Sequence, residues 1–404
     1  MATAVGAPPT VTAPRRPEWL ELVGGQLLAL LTALVIALLL GSLIIVGYGE
    51  SPSLVYTSIL RFSFGSADGL GHVLANATPL IFSALAVAVC FKGGMFNIGV
   101  EGQYIVGMLV GAWSAVALDF MPGPLLMLTV VVFSMVGGVL WAAVPGVLKV
   151  RTGAHEVVTT IMMNGIAGSL VAWAVNGPLK YTQVEGAGVG FNINSRTETF
   201  DANARIPDLG HLLGIRVSAH LTWLLPAAVV TAVLIWFVLR RTRLGYEARA
   251  VGASAGSARA GGISIGGVQM RLFILSGALA GLVGLQQMIG EKNFLPLGYE
   301  AGLGFTGIAV AFLGQNNPIG IVFAAVVWGM LARGETALQI DTDVPREFVI
   351  ILQGIFILSV VVTYQIARRR LLAIQLRRAA AVEAEVGPAP TPPERPEREP
   401  DGTG

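Results

Sequence analysis

Long apolar segments recur along almost the whole chain, and they constrain its fold more than any other feature of the sequence. The first runs from Leu27 to Val46 without a charged residue, and a helix needs about 20 such residues to cross a bilayer. Only 12% of the 404 residues are charged, whereas soluble domains carry about 25%. Because backbone polar groups find no water inside a bilayer, such segments cross it as helices. The sequence therefore predicts an all-α polytopic membrane protein.

About ten membrane-spanning helices fit these segments when each receives the length that it needs. We place them over 24–47, 72–91, 100–118, 125–147, 165–178, 220–239, 269–289, 302–314, 318–333 and 347–366. The eighth and ninth are short, and the count falls to eight if both are re-entrant. The one long polar segment, 179–219, is predicted to be a loop outside the membrane.

The distribution of basic residues predicts the orientation. Most of the 26 Lys and Arg residues lie in segments that this layout places inside, at Arg15 and Arg16, in the loop 240–267 and from Arg368 onward. Because cytoplasmic segments are enriched in Lys and Arg, both termini are predicted to be cytoplasmic. We expect a multi-pass protein of the cytoplasmic (inner) membrane of a prokaryote.

Composition divides the chain into three regions. Residues 1–18 are rich in Ala, Pro and Thr, and we predict a disordered N-terminal tail. Residues 19–370 form the predicted transmembrane domain. Residues 371–404 contain Pro and Glu repeats, which predict a disordered cytoplasmic tail.

The stretch 91–102 interrupts the apolar pattern. Glycines alternate there with Lys92, Asn97 and Glu101. A glycine costs about 1 kcal/mol relative to Ala inside a helix, and an ionisable side chain at mid-membrane costs about 3 kcal/mol or more. We therefore predict that a helix breaks here and that its polar side chains face protein or a water-filled path.

Two later stretches, 302–307 and 314–320, are similarly rich in glycine. In the predicted topology, spans two to five and spans seven to ten start from opposite sides of the membrane. Inverted repeats of this kind are common in transporters. The sequence thus predicts inverted-repeat halves.

The polar residues of the break have two interpretations. Asn97, Glu101 and Gln103 could line a substrate path and bond the hydroxyls of a sugar or nucleoside. Alternatively, Asn97 caps the third span, and Glu101 lies in its first turn, where the helix dipole favours a negative charge. The two roles are compatible.

Three further residues have competing interpretations. Lys92 could pair with Glu101, although we favour a side chain that extends to the cytoplasmic edge. Phe96 and Phe305 could form apolar parts of the path, but a phenylalanine in a membrane helix is more often a packing residue.

Several motifs resemble the nucleoside and simple-sugar branch of ABC-type uptake permeases, in the family that includes ribose and branched-chain amino acid permeases. They are ATPLIFSALAVAV at 77–89, FNIGVEGQ at 96–103, HEVVTTIMMNGIA at 155–167, LGYEARAVG at 244–252 and EFVIILQG at 347–354. The resemblance covers about residues 25–368. Two departures, at His155 and Gly165 and over 253–257, concern details of the contact with an ATPase.

The resemblance implies where an ATPase would dock. Its first coupling segment corresponds to 153–164, which we expect to be a short helix beside the membrane, and its second to 244–263. The residues implied are His155, Glu156, Thr159, Thr160, Asn164, Gly245, Tyr246, Arg249 and Arg259. For the two arginines, the enrichment of cytoplasmic loops in positive charge is almost as good an explanation.

The resemblance also implies a function. The chain would be the permease subunit of an ABC importer for nucleosides, with simple sugars as the alternative and branched-chain amino acids further behind. Its partners would be an ABC ATP-binding subunit, a second permease subunit (homologous or identical), an extracytoplasmic substrate-binding lipoprotein and the lipid bilayer. ATP and Mg would be bound by the partner ATPase, and this chain would need no cofactor.

Other functional classes have less support in the sequence. No G-x-x-x-x-G-K-[ST] motif occurs, so the chain has no P-loop for ATP. Its four histidines are scattered, and we see no metal-ligand cluster, catalytic set or basic nucleic-acid surface. An enzyme is therefore not expected. The main rival is a self-sufficient secondary transporter driven by an ion gradient through Lys92 and Glu101, which would not need the two cytoplasmic segments.

Overall fold

The computed structural model describes residues 35–181, 195–212, 220–297, 301–342 and 347–359, and also the single residues 32, 299, 362, 363, 366 and 369. The predicted disordered tails 1–18 and 371–404 lie outside these residues. The larger of two compact units, Leu39–Ile357, contains nearly all that is described. Within it the regular structure is helical, apart from two isolated antiparallel bridges. The prediction of an all-α fold is confirmed.

The helices in the described residues are named in chain order. They are α1 (Val35–Gly47), α2 (Pro52–Phe64), α3 (Ala67–Lys92), α4 (Val100–Ala117), α5 (Gly123–Thr152), α6 (Glu156–Asn176), α7 (Leu209–Leu212), α8 (Leu224–Arg241), α9 (Arg243–Ala253), α10 (Ala255–Ala260), α11 (Ile265–Gly281), α12 (Leu303–Leu313), α13 (Pro318–Asp341) and α14 (Glu347–Ser359). A 3-10 turn, Ala202–Ala204, precedes α7, and a π-helix, Gln286–Lys292, follows α11.

Six helices in the described residues are long and apolar enough to cross a membrane: α3, α5, α6, α8, α13, and α11 with its π-helical continuation. The pair α1–α2, bent by 115°, would add a seventh if it were one span. This count does not confirm ten spans, which stay a prediction. The eighth predicted span, 302–314, corresponds to the short helix α12 of 11 residues.

The first coupling segment differs in form from its prediction. Residues 153–164 were expected to form a separate short helix before a span at 165–178, but α6 runs without interruption from Glu156 to Asn176. Gly153, at φ 71°, ends α5 in the left-handed conformation that glycine adopts easily. Beyond it the hydroxyl of Thr160 bonds the Glu156 carbonyl within the helix, so its polarity does not interrupt the helix.

Glycines allow α4, α5 and α11 to pack closely. A Cβ atom on Gly107 would lie 2.8 Å from the Cα of Gly281, and one on Gly277 would lie 2.6 Å from the carbonyl oxygen of Gly138. Contacts this short leave no room for a side chain. The glycine spacing therefore permits close helix packing, as in many membrane bundles. Beside these helices, α3 is buried along most of its length and contacts α8, α11, α12 and α13.

Candidate functional site

The predicted helix break is confirmed between α3 and α4. Helix α3 ends at Lys92, α4 begins at Val100, and Gly94 between them has a φ of 73°. A Cβ atom on Gly94 would lie 3.3 Å from the Cα of Gly252 at the end of α9. The glycine therefore provides both the backbone conformation that the break requires and the space that α9 occupies.

Asn97 and Gln103 bond each other across the break. Asn97 Nδ2 donates to Gln103 Oε1 at 3.1 Å and to Ser276 Oγ at 2.9 Å. Its Oδ1 accepts from Gln103 Nε2 at 3.2 Å and from the backbone N–H of Gly99 at 3.0 Å. Both amide side chains are only 1% exposed. In this conformation the two amides hold the break together, and Ser276 connects it to α11.

The Glu101 carboxylate caps the N-terminus of another helix. It accepts hydrogen bonds from the backbone N–H of Gly302 at 2.7 Å and of Gly304 at 2.8 Å, at the start of α12. Tyr104 Oη donates a third at 3.2 Å. Helix N-termini carry unpaired N–H groups and a partial positive charge, so a carboxylate is favourable there. Glu101 thus faces α12 rather than Lys92, and it joins the two halves of the chain.

Asn164 connects α6 with both sides of the break. Its Oδ1 accepts from the N–H of Gly102 at 2.9 Å, and its Nδ2 donates to the carbonyl of Ile98 at 3.1 Å. The end of the break and the first turn of α4 leave such backbone groups without a helical partner. Asn164 was predicted to contact an ATPase; the structure places its side chain inside the chain, against the break.

The two phenylalanines predicted for the path occupy different surroundings. Phe96 lies in an aromatic cluster with Phe91 and Phe312, and its ring centroid is 6.2 Å from that of Phe312 and 6.4 Å from that of Phe91. Phe305, in the first turn of α12, is 49% exposed. Phe96 therefore lies in the break, against the C-terminal end of α12, whereas Phe305 lies at the start of that helix. Contact of either residue with a substrate stays a prediction.

The first coupling segment is bound to the end of α5. Lys149 Nζ lies 2.7 Å from Glu156 Oε2, and Glu156 is 8% exposed. Thr160 is fully buried, Thr159 is half-buried and His155 is exposed. Glu156 and Thr160 thus stabilise the α5–α6 turn, and their contact with an ATPase stays a prediction.

The second segment is fixed by an acid between two arginines. Glu247 Oε1 lies 2.7 Å from Arg243 Nε, and its Oε2 lies 2.8 Å from Arg271 Nη2. The hydrogen bond from Arg243, followed by that from Arg271 and the charges of both arginines, holds the pKa of the Glu247 carboxyl below its usual value. Arg271 belongs to α11, so this group connects the two helices α9 and α11.

Other residues of this segment divide into buried and exposed ones. Arg249 donates to the carbonyl of Leu239 at the end of α8. Gly245 is buried against the α8 backbone, whereas Tyr246 is 63% exposed and Arg259 is exposed. Tyr246 and Arg259 are therefore available to a partner.

Sequence reasoning gave no role to Ser276, Glu247 or Arg271, which bond Asn97 or each other. It noted Gly302 and Gly304 as part of a glycine-rich stretch but did not predict their bonds to Glu101. Only the spacing of Arg243 and Glu247, four residues apart on one helix, was a local signal. Within the part of the chain that the structure describes, no group of three or more His, Cys, Asp or Glu side chains could hold a metal ion.

Comparisons with known proteins agree over most of the chain. The family described as "Branched-chain amino acid transport system / permease component" matches residues 69–361. The guanosine ABC transporter permease protein NupP of Bacillus subtilis is 36% identical over 346 residues, 84% of this chain and 94% of that protein. The nucleoside ABC transporter permease protein NupB of Lactococcus lactis is 31% identical over 360 residues, 89% of this chain and 95% of that protein. The glucose ABC transporter permease protein TsgB13 of Haloferax volcanii is 31% identical over 363 residues, 88% of this chain and 92% of that protein.

Proposed function

The chain belongs to the family of permease components of branched-chain amino acid transport systems, and from this premise we propose that it carries nucleosides across the cytoplasmic membrane as the permease subunit of an ABC importer. Relatives named for guanosine and for nucleosides align with nearly their whole length, at 36% and 31% identity. Asn164 is the residue that best supports the mechanism, because it connects the helix that starts at the first coupling segment with the break.

Movement would start where an ATPase subunit docks. The exposed residues His155, Tyr246 and Arg259 lie on the two coupling segments, 153–164 and 244–263. An ATPase that binds there needs a rigid surface on which to act. The ion pairs Lys149–Glu156 and Glu247–Arg271 supply that rigidity, since each joins its segment to a long helix.

Both coupling segments contact the break. Helix α6 reaches it through Asn164, and α9 reaches it through the close approach of Gly252 to Gly94. The break in turn reaches α12 through Glu101. A displacement of the coupling segments would therefore move the start of α4 and the start of α12 together.

Access to the path would change as the break opens and closes. In this conformation the amides of Asn97 and Gln103 are bonded to each other. An opened break would release these groups to bond the hydroxyls of a ribose, while Phe96 and Phe305 provide apolar surface for a base. The free energy would come from ATP hydrolysis in the partner, which binds the ATP and Mg.

The complete transporter would contain further subunits. A second permease chain, identical or homologous, would complete the path, and an extracytoplasmic binding lipoprotein would deliver the substrate. Both termini of this chain would be cytoplasmic in the inner membrane. Selection of the substrate would then rest largely with the binding protein.

A simple sugar is the second candidate substrate, and the glucose permease relative at 31% identity favours it. Uptake of radiolabelled guanosine, uridine, ribose and glucose distinguishes the two, measured in cells lacking the gene and in the same cells with the gene restored. We expect restoration to recover nucleoside uptake, and a hundredfold excess of unlabelled glucose or ribose to leave it unchanged. Recovery of sugar uptake alone would contradict the nucleoside assignment.

A further inference from the structure

The segment 195–206, which we name the strap, lies antiparallel to the chain at 289–297. It connects the end of α6 to the start of α8, so it lies at the opposite ends of these helices from the coupling segments. Its backbone hydrogen bonds are Thr197 N to Leu295 O at 3.1 Å, Leu297 N to Ser195 O at 2.9 Å, Phe200 N to Asn293 O at 2.8 Å and Ile206 N to Ile289 O at 3.1 Å. The strap therefore supplies hydrogen-bond partners for backbone groups of the irregular segment 293–297, which has no helical partners of its own.

Side chains strengthen this pairing. Thr197 Oγ1 accepts a hydrogen bond from the N–H of Leu295 at 3.0 Å, and both residues are fully buried. The guanidinium of Arg196 lies 4.7 Å from the ring centroid of Phe294 and 4.9 Å from that of Tyr181, within the range of cation–π attraction. The strap is thus a specific partner of 289–297 rather than a loop that merely lies near it.

The segment 289–297, which pairs with the strap, lies shortly before the α12 N-terminus that Glu101 caps. Four residues lie between Leu297 and Gly302, and the five Cα-to-Cα steps of an extended chain span at most about 18 Å. Before it lies the π-helix Gln286–Lys292, a rare structure that is frequent at functional sites. Asn293, at φ 59°, ends this π-helix in a left-handed conformation. The position of the strap therefore restricts the position of the α12 N-terminus.

We propose that the strap is a gate at the end of the path away from the ATPase, and this inference rests on the proposed function. While the strap pairs with 289–297, it limits the movement of the α12 N-terminus, which Glu101 caps, and closes the path at that end. Substrate enters when the pairing separates. The closure consists of a few backbone hydrogen bonds between two short segments, so it can open without unfolding a helix.

The pair Arg196 and Pro296 offers a direct test. They form an antiparallel bridge flanked by the Thr197–Leu295 and Leu297–Ser195 hydrogen bonds. In such a non-hydrogen-bonded pair the Cα atoms are about 4.5 Å apart, which suits a disulfide. The chain's single cysteine, Cys90, is buried, so the double variant R196C/P296C would form this disulfide selectively.

We expect oxidation of R196C/P296C to lower guanosine uptake about tenfold or more, since a locked gate stops the cycle, and dithiothreitol to restore it. The matched control is D208C/T222C, the other antiparallel bridge, which does not join the strap to 289–297. The rate of guanosine uptake with D208C/T222C should be the same before and after oxidation. Oxidation should also leave the rate unchanged for the four chains that carry one of these cysteines alone.

If R196C/P296C is inactive before oxidation, S195C/L297C joins the same segments and retains Arg196 and Pro296. Uptake that survives complete oxidation of either active pair would overturn the gate and leave the proposed function intact. If the wild-type chain and the reduced variants alike fail to restore nucleoside uptake, the proposed function is overturned, and the gate with it.

Discussion

The carboxylate of Glu101 lies 2.7 Å from the backbone nitrogen of Gly302, although 201 positions separate the two residues in the chain. Glu101 belongs to the first turn of α4, and Gly302 is the N-cap of α12. Helix α4 follows the glycine-rich break, whereas α12 begins within the glycine-rich stretch 302–307 of the other half of the chain. Through this one buried side chain the start of α4 contacts the start of α12.

Replacement of Glu101 with Gln tests this connection. The amide oxygen can accept one of the two N–H groups, but the amide nitrogen is a donor and cannot accept the other. We expect a loss of about 1–3 kcal/mol in stability, because a buried donor loses its charged acceptor. Thermal unfolding of the purified chain in detergent measures it. Glu291→Gln, at an exposed position, is the control and should leave the unfolding temperature unchanged; an equal effect of both would contradict the cap.

Asn164→Ala removes the side chain that connects α6 with the break. We expect uptake to fall about tenfold, since changes within a coupling network alter coupling by about 0.5–2 kcal/mol. Asn176→Ala is the matched control on the same helix, because the Asn176 side chain donates to the carbonyl of Ala172 in its own helix and, among the described residues, makes no bond to the break. Equal uptake by the two variants, at equal membrane levels, would show that Asn164 transmits nothing.

The pairing of Glu247 predicts a pH dependence. Its pKa is lowered in the folded chain, so its contribution to stability is complete above the unfolded value of about 4.3. That contribution disappears as the pH falls through the lower, folded pKa. The difference in unfolding temperature between the wild type and Glu247→Gln should therefore be constant from neutral pH to about pH 5. It should decrease to zero in more acidic buffer. A difference that widens with acidity would contradict the pairing.

Close packing of α5 and α11 predicts that Gly281 tolerates no side chain. A Cβ atom there would lie 2.8 Å from the Cα of Met135, and we expect Gly281→Ala to cost about 3 kcal/mol, near the upper end for overpacked cores. Gly165→Ala is the control, because no atom lies within 4 Å of a Cβ at that position of α6. It should raise stability by about 0.5 kcal/mol. A lower unfolding temperature for Gly281→Ala and a higher one for Gly165→Ala would confirm the helix arrangement, whereas equal changes would contradict it.

The sequence predicted those features that depend on local residues. The break at 93–99 follows from glycines and polar side chains within an apolar region. The second coupling segment rests on the family resemblance of 244–263 and stays a prediction. The continuous helix α6 was missed, because the polarity of 155–164 resembles that of a loop although Thr160 satisfies its hydroxyl within the helix.

Long-range partners could not be predicted from the sequence. No residue near Glu101 in the sequence indicates that its carboxylate accepts a hydrogen bond from Gly302. No residue near Asn97 indicates that its amide donates to Ser276, 179 positions away. The pairing of the strap with 289–297 is similarly invisible, since neither segment has the alternating pattern of a strand. The number of spans depends on short helices such as α12, whose length the apolar pattern does not define.

Uptake driven by an ATPase at α9 should depend on the exposed surface of that helix and not on the proton gradient. Guanosine uptake is measured in cells that carry the wild-type chain, Tyr246→Ala on the exposed surface of α9, or Tyr48→Ala at a second exposed tyrosine. The proton gradient is collapsed while cellular ATP is maintained. We expect uptake to persist with the wild type and Tyr48→Ala and to be lost with Tyr246→Ala, although all three chains reach the membrane equally. Uptake that collapses with the gradient and ignores Tyr246 would show that the chain works without an ATPase.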